Sequence, residues 1–164
     1  MGSLVVYPGT QVEVEAFVET LPSALAATAA AGALIITVFD PSRWTAGGGD
    51  VLKIDDGDPQ HSSSELVTTA SVTGKVVTLT APLAWSHGFG TPVYKLLAAT
   101  IAAAIELPDG TQTALTLNSV TTGRYRGTYN TTPANSGANP IEVNATGAAI
   151  GANAVTLNVL SDRV

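Results

Sequence analysis

The sequence predicts an all-β protein, and three observations support this fold class. Much of the 164-residue chain is Ala, Thr, Val, Gly and Asn, and small or β-branched residues suit strands and tight turns better than long helices. Apolar and acidic residues alternate over residues 11–19, which is the two-residue period of a half-buried strand. Turn signals recur roughly every ten residues, a spacing typical of a β-sandwich or a barrel.

The first part of the chain is predicted to hold a series of short strands. Pro8-Gly9 is a turn signal, and in the strand that follows it residues 12, 14, 16 and 18 point to one side. Residues 21–31 contain Pro22 and are too short for a stable isolated helix, so we interpret them as a linker with room for one helical turn. The predicted strands here are 11–19, 33–38, 51–54, 65–72, 76–80 and 93–96.

The last third of the chain is predicted to contain strands as well. The Ala-rich segment 98–104 favours a helix by propensity, whereas the Pro108-Asp109-Gly110 turn and the strand-like neighbours favour a strand, which is our prediction. Tyr125 and Tyr129 share one face of a strand, and at least one of them is expected in the core. The predicted strands are 99–107, 113–117, 123–130, 141–146 and 155–160.

Charge and composition argue against several classes of protein. The net charge is −6, and the seven Lys and Arg residues are scattered singly, so we expect no nucleic-acid partner. The chain has no cysteine, which excludes disulfides, thiolate zinc sites and iron–sulfur clusters. The first residues lack the basic region of a secretory signal, and no apolar run approaches the roughly 20 residues of a membrane helix, so no membrane partner is expected.

The densest polar cluster is an acidic turn. Asp55, Asp56 and Asp58 are the candidates for a metal site, because carboxylate oxygens bind Ca²⁺. Their spacing does not match an EF-hand loop, so we interpret the segment as a solvated turn and predict neither a metal nor a cofactor. His87 follows Ser86, but no nucleophile elbow is present, and we interpret His87 as a loop residue that packs or hydrogen-bonds locally. We predict no catalytic residue and no enzymatic activity.

Two stretches resemble proteins of tailed-bacteriophage virions. The first spans about residues 29–96 and is similar to a small β-module that recurs in phage head, connector and tail proteins. The second resembles an immunoglobulin-like β-sandwich of the bacterial and phage type. The motifs of the first are GDVLKIDDG at 49–57 and VTGKVVTLTAPLAWSH at 72–87; those of the second are PGTQVEVEA at 8–16, PDGT at 108–111 and TGRYRGTY at 122–129.

These resemblances imply a domain organisation. Residues 4–20 and 98–160 would form the Ig-like β-sandwich, and residues 29–96 would be a small, barrel-like β-module inserted into it. Two domains in tandem are the alternative. If the module is inserted, the strand at residues 12–18 pairs with strands beyond residue 98.

The same resemblances imply a structural role in a virion. The expected function is capsid decoration by docking on the head, with the major capsid protein or neighbouring virion proteins as partners and many copies per particle. A head–tail connector or a tail component is the alternative, and assembly would take place in the cytoplasm of the host bacterium. A glycan-binding adhesin is the alternative from another class, and exposure of Trp44, Trp85 and Phe89 on one face would favour it.

The first residues are the predicted docking segment. Leu4, Val5, Val6 and Tyr7 are mostly apolar, and no partner strand can be assigned to them within the chain. An exposed apolar strand promotes aggregation. We therefore predict that this segment is ordered against a neighbouring subunit or the capsid by strand addition.

Overall fold

The computed structural model describes residues 2–6, 11–20, 22–55, 64–107, 109–130, 137–146 and 154–161. These residues contain strands and turns and no helix, so the predicted all-β class is confirmed. The strand predicted for the Ala-rich segment 98–104 is confirmed too. The helical turn considered for 21–31 is absent from the described part of that segment, which holds a two-residue strand and isolated bridges instead.

Fourteen strands are described. The first eight are β1 (Gly2–Val6), β2 (Gln11–Glu19), β3 (Ser23–Ala24), β4 (Ile35–Thr37), β5 (Val51–Ile54), β6 (Glu65–Thr73), β7 (Val76–Leu79) and β8 (Pro92–Lys95). The others are β9 (Thr100–Glu106), β10 (Gln112–Leu115), β11 (Asn118–Thr121), β12 (Arg124–Asn130), β13 (Gly137–Thr146) and β14 (Ala154–Ser161).

The chain divides into two compact units. Met1–Val18 and Leu97–Val164 form one, the split unit, and Glu19–Leu96 form the other, the central unit. The central unit starts ahead of the module boundary expected at residue 29, because the chain pairs with β8 as soon as β2 ends. Glu19 forms a bridge with Leu96, and the amide of Thr20 donates to the carbonyl of Lys95 at 2.9 Å.

The split unit contains two four-stranded sheets. Their strand orders are β1-β13-β9-β10 and β11-β12-β2-β14. β2 pairs with β12 in antiparallel register, with Val14 opposite Gly127 and Ala16 opposite Tyr125. Val14, Ala16 and Val18 of β2 pack in the core, in agreement with the alternation.

The prediction that the first residues lack a partner strand is wrong. β1 pairs with β13, with Leu4 opposite Asn139 and Val5 opposite Ala138, and it is the outermost strand of its sheet. The partner was missed because β13 begins at Gly137, four residues before the predicted strand at 141, and its first residues have little strand propensity.

The central unit is built from one six-stranded sheet of order β3-β8-β5-β6-β7-β4. The sheet curls until its two outer strands meet: Leu25 bridges Val38, and the amide of Ala26 donates to the carbonyl of Thr37 at 2.8 Å. Closing a sheet in this way protects its edges from pairing with other chains. The enclosed core is made of Leu25, Ala29, Ile36, Val38, Trp44, Leu52, Ile54, Val67, Val77, Leu79, Leu83 and Val93.

Candidate docking surface

The outer side of β4 and β7 is apolar and open to solvent. Ile36 and Val77 point into the core, so their neighbours in the chain must point outward. Three of these outward residues are large and apolar: Ile35 is 58% exposed, Phe39 is 47% exposed and Val76 is 43% exposed. Ile35 and Val76 are diagonal neighbours, because Thr78 lies opposite Ile35 and Thr37 lies opposite Val76.

Phe89 extends this surface from a neighbouring loop. Its ring meets the ring of Phe39 edge to face, with centroids 5.5 Å apart and an interplanar angle of 80°. Phe89 is 66% exposed. The next residue is held in place, since the amide of Gly90 donates to the carbonyl of Leu25 at 2.9 Å. We call Ile35, Phe39, Val76 and Phe89 together the apolar face.

A contiguous exposed apolar surface is informative where single exposed apolar residues are not. Single ones are common on any protein, whereas a cluster marks a site of interaction or a tendency to aggregate. Ile35, Phe39, Val76 and Phe89 lie on one side of one sheet and its adjoining loop. The apolar face therefore has the chemistry of a docking surface.

Three charged residues border the apolar face. Asp40 follows Phe39, and the carbonyl of Lys75 accepts a hydrogen bond from the amide of Val38 at 2.9 Å. Hydrogen bonds from Ser42 lower the pKa of Asp40, and the positive charges of Arg43 and Lys75 lower it further. These three residues therefore carry two positive charges and one negative charge, in a chain whose net charge is −6.

A partly buried carboxylate, that of Glu65, holds the loop that carries Phe89. Glu65 accepts hydrogen bonds from the amides of Ala84 at 2.8 Å and Trp85 at 3.2 Å. Its Oε1 also lies 2.7 Å from Nε2 of His87, whose ring is buried. His87 is a loop residue that packs and hydrogen-bonds, as expected, but its partner Glu65 lies on β6 and not nearby in the chain. These contacts fix the backbone that presents Trp85 and Phe89 to solvent.

The acidic turn predicted as a metal candidate is tied to a buried lysine at its first residue. Nζ of Lys53 lies 3.0 Å from Oδ2 of Asp55 and 2.5 Å from Oε1 of Glu19. Burial lowers the pKa of Lys53, but its hydrogen bonds and ion pairs with these two carboxylates outweigh burial and raise it. Asp56 and Asp58 lie outside the described residues. Among the described residues, no group of three or more His, Asp or Glu side chains could hold a metal.

A second, partly buried ion pair stabilises the start of β5. Nζ of Lys95 lies 2.9 Å from Oδ1 of Asp50, and the Thr45 hydroxyl donates to the same oxygen at 3.0 Å. Burial raises the pKa of Asp50, but the hydrogen bonds from Lys95 and Thr45 hold it below its usual value. The ion pairs of Lys53 and of Lys95 therefore both have a structural role.

The aromatic residues considered for glycan binding are divided between core and surface. Trp44 is 9% exposed and packs in the core of the central unit, so it is not available to an exposed aromatic platform. A small β-unit needs large side chains to fill its interior. Trp85, at 51% exposed, and Phe89 remain on the surface, on one loop.

The split unit places its polar groups in a structural network. Two glutamates of β2, Glu13 and Glu15, meet arginines of β12. Glu15 lies 2.5 Å from Nε of Arg124 and 3.1 Å from Nη2 of Arg126. Tyr125 is buried, and its hydroxyl donates to the carbonyl of Ala99 at 2.6 Å and accepts from the Ala99 amide at 2.8 Å. These contacts join β2 and β12 and position the chain before β9.

The predicted docking segment and the apolar face are different surfaces. Leu4, Val5 and Val6 lie in β1 of the split unit, and Tyr7 lies outside the described residues. Docking by strand addition at this segment stays a prediction. The apolar face was missed by the sequence reading because residues 33–36 are all apolar, so the pattern does not reveal which of them point outward.

Comparisons with protein-family models, with curated proteins and with solved structures find no match to this chain. The described residues contain no helix that is long and apolar enough to cross a membrane.

Proposed function

We propose that this protein is a non-enzymatic structural protein of a tailed-bacteriophage virion that docks on the head and stabilises it. The observation that carries the proposal is the apolar face, an exposed apolar surface on a chain of net charge −6. The phage-like motifs support the virion assignment, including GDVLKIDDG, whose segment Val51–Ile54 forms β5 of the central unit. The function would then be binding, and the expected partner is the major capsid protein or another virion protein.

The fold we propose for the split unit is an Ig-like sandwich. Its two four-stranded sheets and the buried Tyr125 of β12 support this assignment. The central unit would be the phage-type β-module, inserted between the first strands and the rest of the sandwich. Such an arrangement would hold the apolar face on a rigid, closed sheet.

The binding free energy that the apolar face can supply suits a protein that assembles in many copies. Fully burying a Val, Leu, Ile or Phe side chain contributes about 1.5–3 kcal/mol. The four side chains of the face are about half exposed, so covering them would contribute roughly 3–6 kcal/mol before the costs of association are subtracted. Symmetric assembly would multiply this modest contact over many sites.

A particle-binding experiment tests the proposal. Phage heads are prepared from cells that produce this chain, the copies already bound to them are removed, and purified protein is added. The bound protein is measured by sedimentation and located by electron microscopy. We expect saturable binding on the head, which Phe39→Ser/Phe89→Ser abolishes and Val120→Ser leaves intact, since Val120 is equally exposed but lies on β11 of the split unit. Binding at the neck or tail would favour the connector or tail alternative, and absence of binding to particles would refute the virion role.

Glycan binding is the second candidate, favoured by the exposed Trp85 and Phe89 on one rigid loop. Stacking of a sugar on Trp85 would change its fluorescence, so titration with host-surface polysaccharide tests the idea directly. Loss of polysaccharide binding in Trp85→Ala, measured by calorimetry, with particle binding retained, would assign glycan recognition to this loop.

A further inference from the structure

We infer that the apolar face binds a protein surface of a particular chemistry: apolar side chains flanked by carboxylates. This inference rests on the proposed docking function and deepens it, because it states which kind of partner the face fits. Two cations, Arg43 and Lys75, lie beside the face in a chain whose net charge is −6.

Most cations of the described residues are already paired. Lys53, Lys95, Arg124 and Arg126 each lie within ion-pair distance of a carboxylate in their own unit. Arg43 and Lys75, which are exposed, form no salt bridge within the described part of the chain. The unpaired positive charge that the structure describes is therefore concentrated where the apolar face ends.

The position of Arg43 and Lys75 suits contact with charged residues at the rim of a partner's binding surface. Lys75 directly precedes Val76, and its carbonyl is hydrogen-bonded to the backbone beside Phe39. Asp40 interacts electrostatically with both cations, but its carboxylate already accepts a hydrogen bond from the Ser42 amide at 2.9 Å. Protein interfaces combine an apolar centre with a charged rim that speeds association and excludes wrong partners. A partner with Asp or Glu beside an apolar centre would complete that arrangement.

Two other occupants fit the charges less well. A second copy of the chain that docks through the same face about a two-fold axis would bring Arg43 and Lys75 against their own copies, with like charges facing each other. An anionic membrane attracts clusters of about four to eight basic residues, and this face has two. A different protein with an acidic rim avoids both difficulties.

The test uses a peptide array, which does not depend on phage particles. Each peptide has a central Leu-Phe-Val segment flanked either by Asp and Glu or, in its matched partner, by Lys and Arg. We expect the full chain to bind acid-flanked peptides at least tenfold more tightly than their basic counterparts at low salt, with the preference falling as salt rises. Phe39→Ser/Phe89→Ser should remove binding to both sets.

A matched pair of variants isolates the two cations. Arg43→Gln/Lys75→Gln and Gln112→Glu/Thr113→Glu lower the net charge equally, but the second pair changes exposed residues of β10 in the split unit. We expect the first pair to abolish the preference for acidic flanks and the second to leave it unchanged. Equal binding of acidic and basic peptides, or equal loss in both variants, would overturn the inference even if the protein binds phage heads. Binding to phosphatidylglycerol vesicles through Arg43 and Lys75, or dimers lost in Phe39→Ser/Phe89→Ser, would overturn it in favour of a membrane or a second copy.

Discussion

Replacing Lys53 by methionine should destabilise the central unit strongly. Nζ of Lys53 lies 2.5 Å from Oε1 of Glu19 and 3.0 Å from Oδ2 of Asp55, and both Lys53 and Glu19 are buried. Methionine keeps most of the length and flexibility of the lysine side chain, so the space stays filled while the charge is lost. The carboxylate of Glu19 then stays in a buried site without the ammonium group that faces it.

The size of the effect follows from the burial of the two partners. Removing one member of a buried ion pair costs about 3–5 kcal/mol, because the other charge stays buried without it. Asp55 is partly exposed and can be solvated, so the buried Glu19 carboxylate accounts for most of the loss in the free energy of unfolding. Lys53→Met/Glu19→Gln should recover at least about half of the loss, because replacing a whole buried pair by neutral groups is often close to neutral in stability.

Urea unfolding at neutral pH, followed by tryptophan fluorescence, measures both variants, since Trp44 lies in the core of the same unit. Lys75→Met is the matched control: it removes the same charge from an exposed site, and its effect should stay within about 0.5 kcal/mol. A loss below about 1 kcal/mol in Lys53→Met, or a double variant no more stable than the single one, would refute the reasoning.

The remaining predictions concern individual contacts. Tyr125→Ala should lower the free energy of unfolding by roughly 3–5 kcal/mol and Tyr125→Phe by about 1–3 kcal/mol, both measured in urea, because the first leaves a cavity and the second removes the hydroxyl that bonds the backbone. The pKa of Asp50 is lowered by folding, so its stabilisation is present above the ordinary value of 3.8 and is lost as pH falls through the lower folded value. Acid titration of the unfolding free energy should therefore show a flatter slope in Asp50→Asn, and an unchanged slope would contradict this assignment. Gly48 and Gly32 have φ of +82° and +84°, but only at Gly48 would a Cβ collide with the backbone of Ala70. Gly48→Ala should thus lower the melting temperature more than Gly32→Ala, and equal losses would show that backbone strain alone decides.

Local pattern was sufficient to locate many strands. The predicted bounds of β2 and β5 agree with the structure, because alternation in one and flanking turns in the other are encoded within a few residues. β3 and β11 were not predicted as strands. β3 spans only two residues, and its pairing depends on Val93 and Pro92 of β8.

The candidate site was much less accessible to sequence reading. Asp55 was considered as a metal ligand because it stands among other acidic residues, but its neighbours in space include Lys53 and Ser64, which give it a structural role. Phe39 and Phe89 are far apart in sequence, and their ring contact arises only when the curled sheet brings the loop before β8 beside the end of β4. No local pattern carries that information.

The sequence by itself determined the all-β class, the approximate places of most strands and the acidic, cysteine-free character of the chain. These properties depend on propensity, alternation and turn chemistry, which act over a few residues. Only the tertiary structure decided that β1 pairs with β13, that Lys53 meets Glu19, and that Ile35 points outward while Ile36 points inward. Strand pairing joins segments more than a hundred residues apart, and which face of a strand is buried depends on what the rest of the chain packs against it.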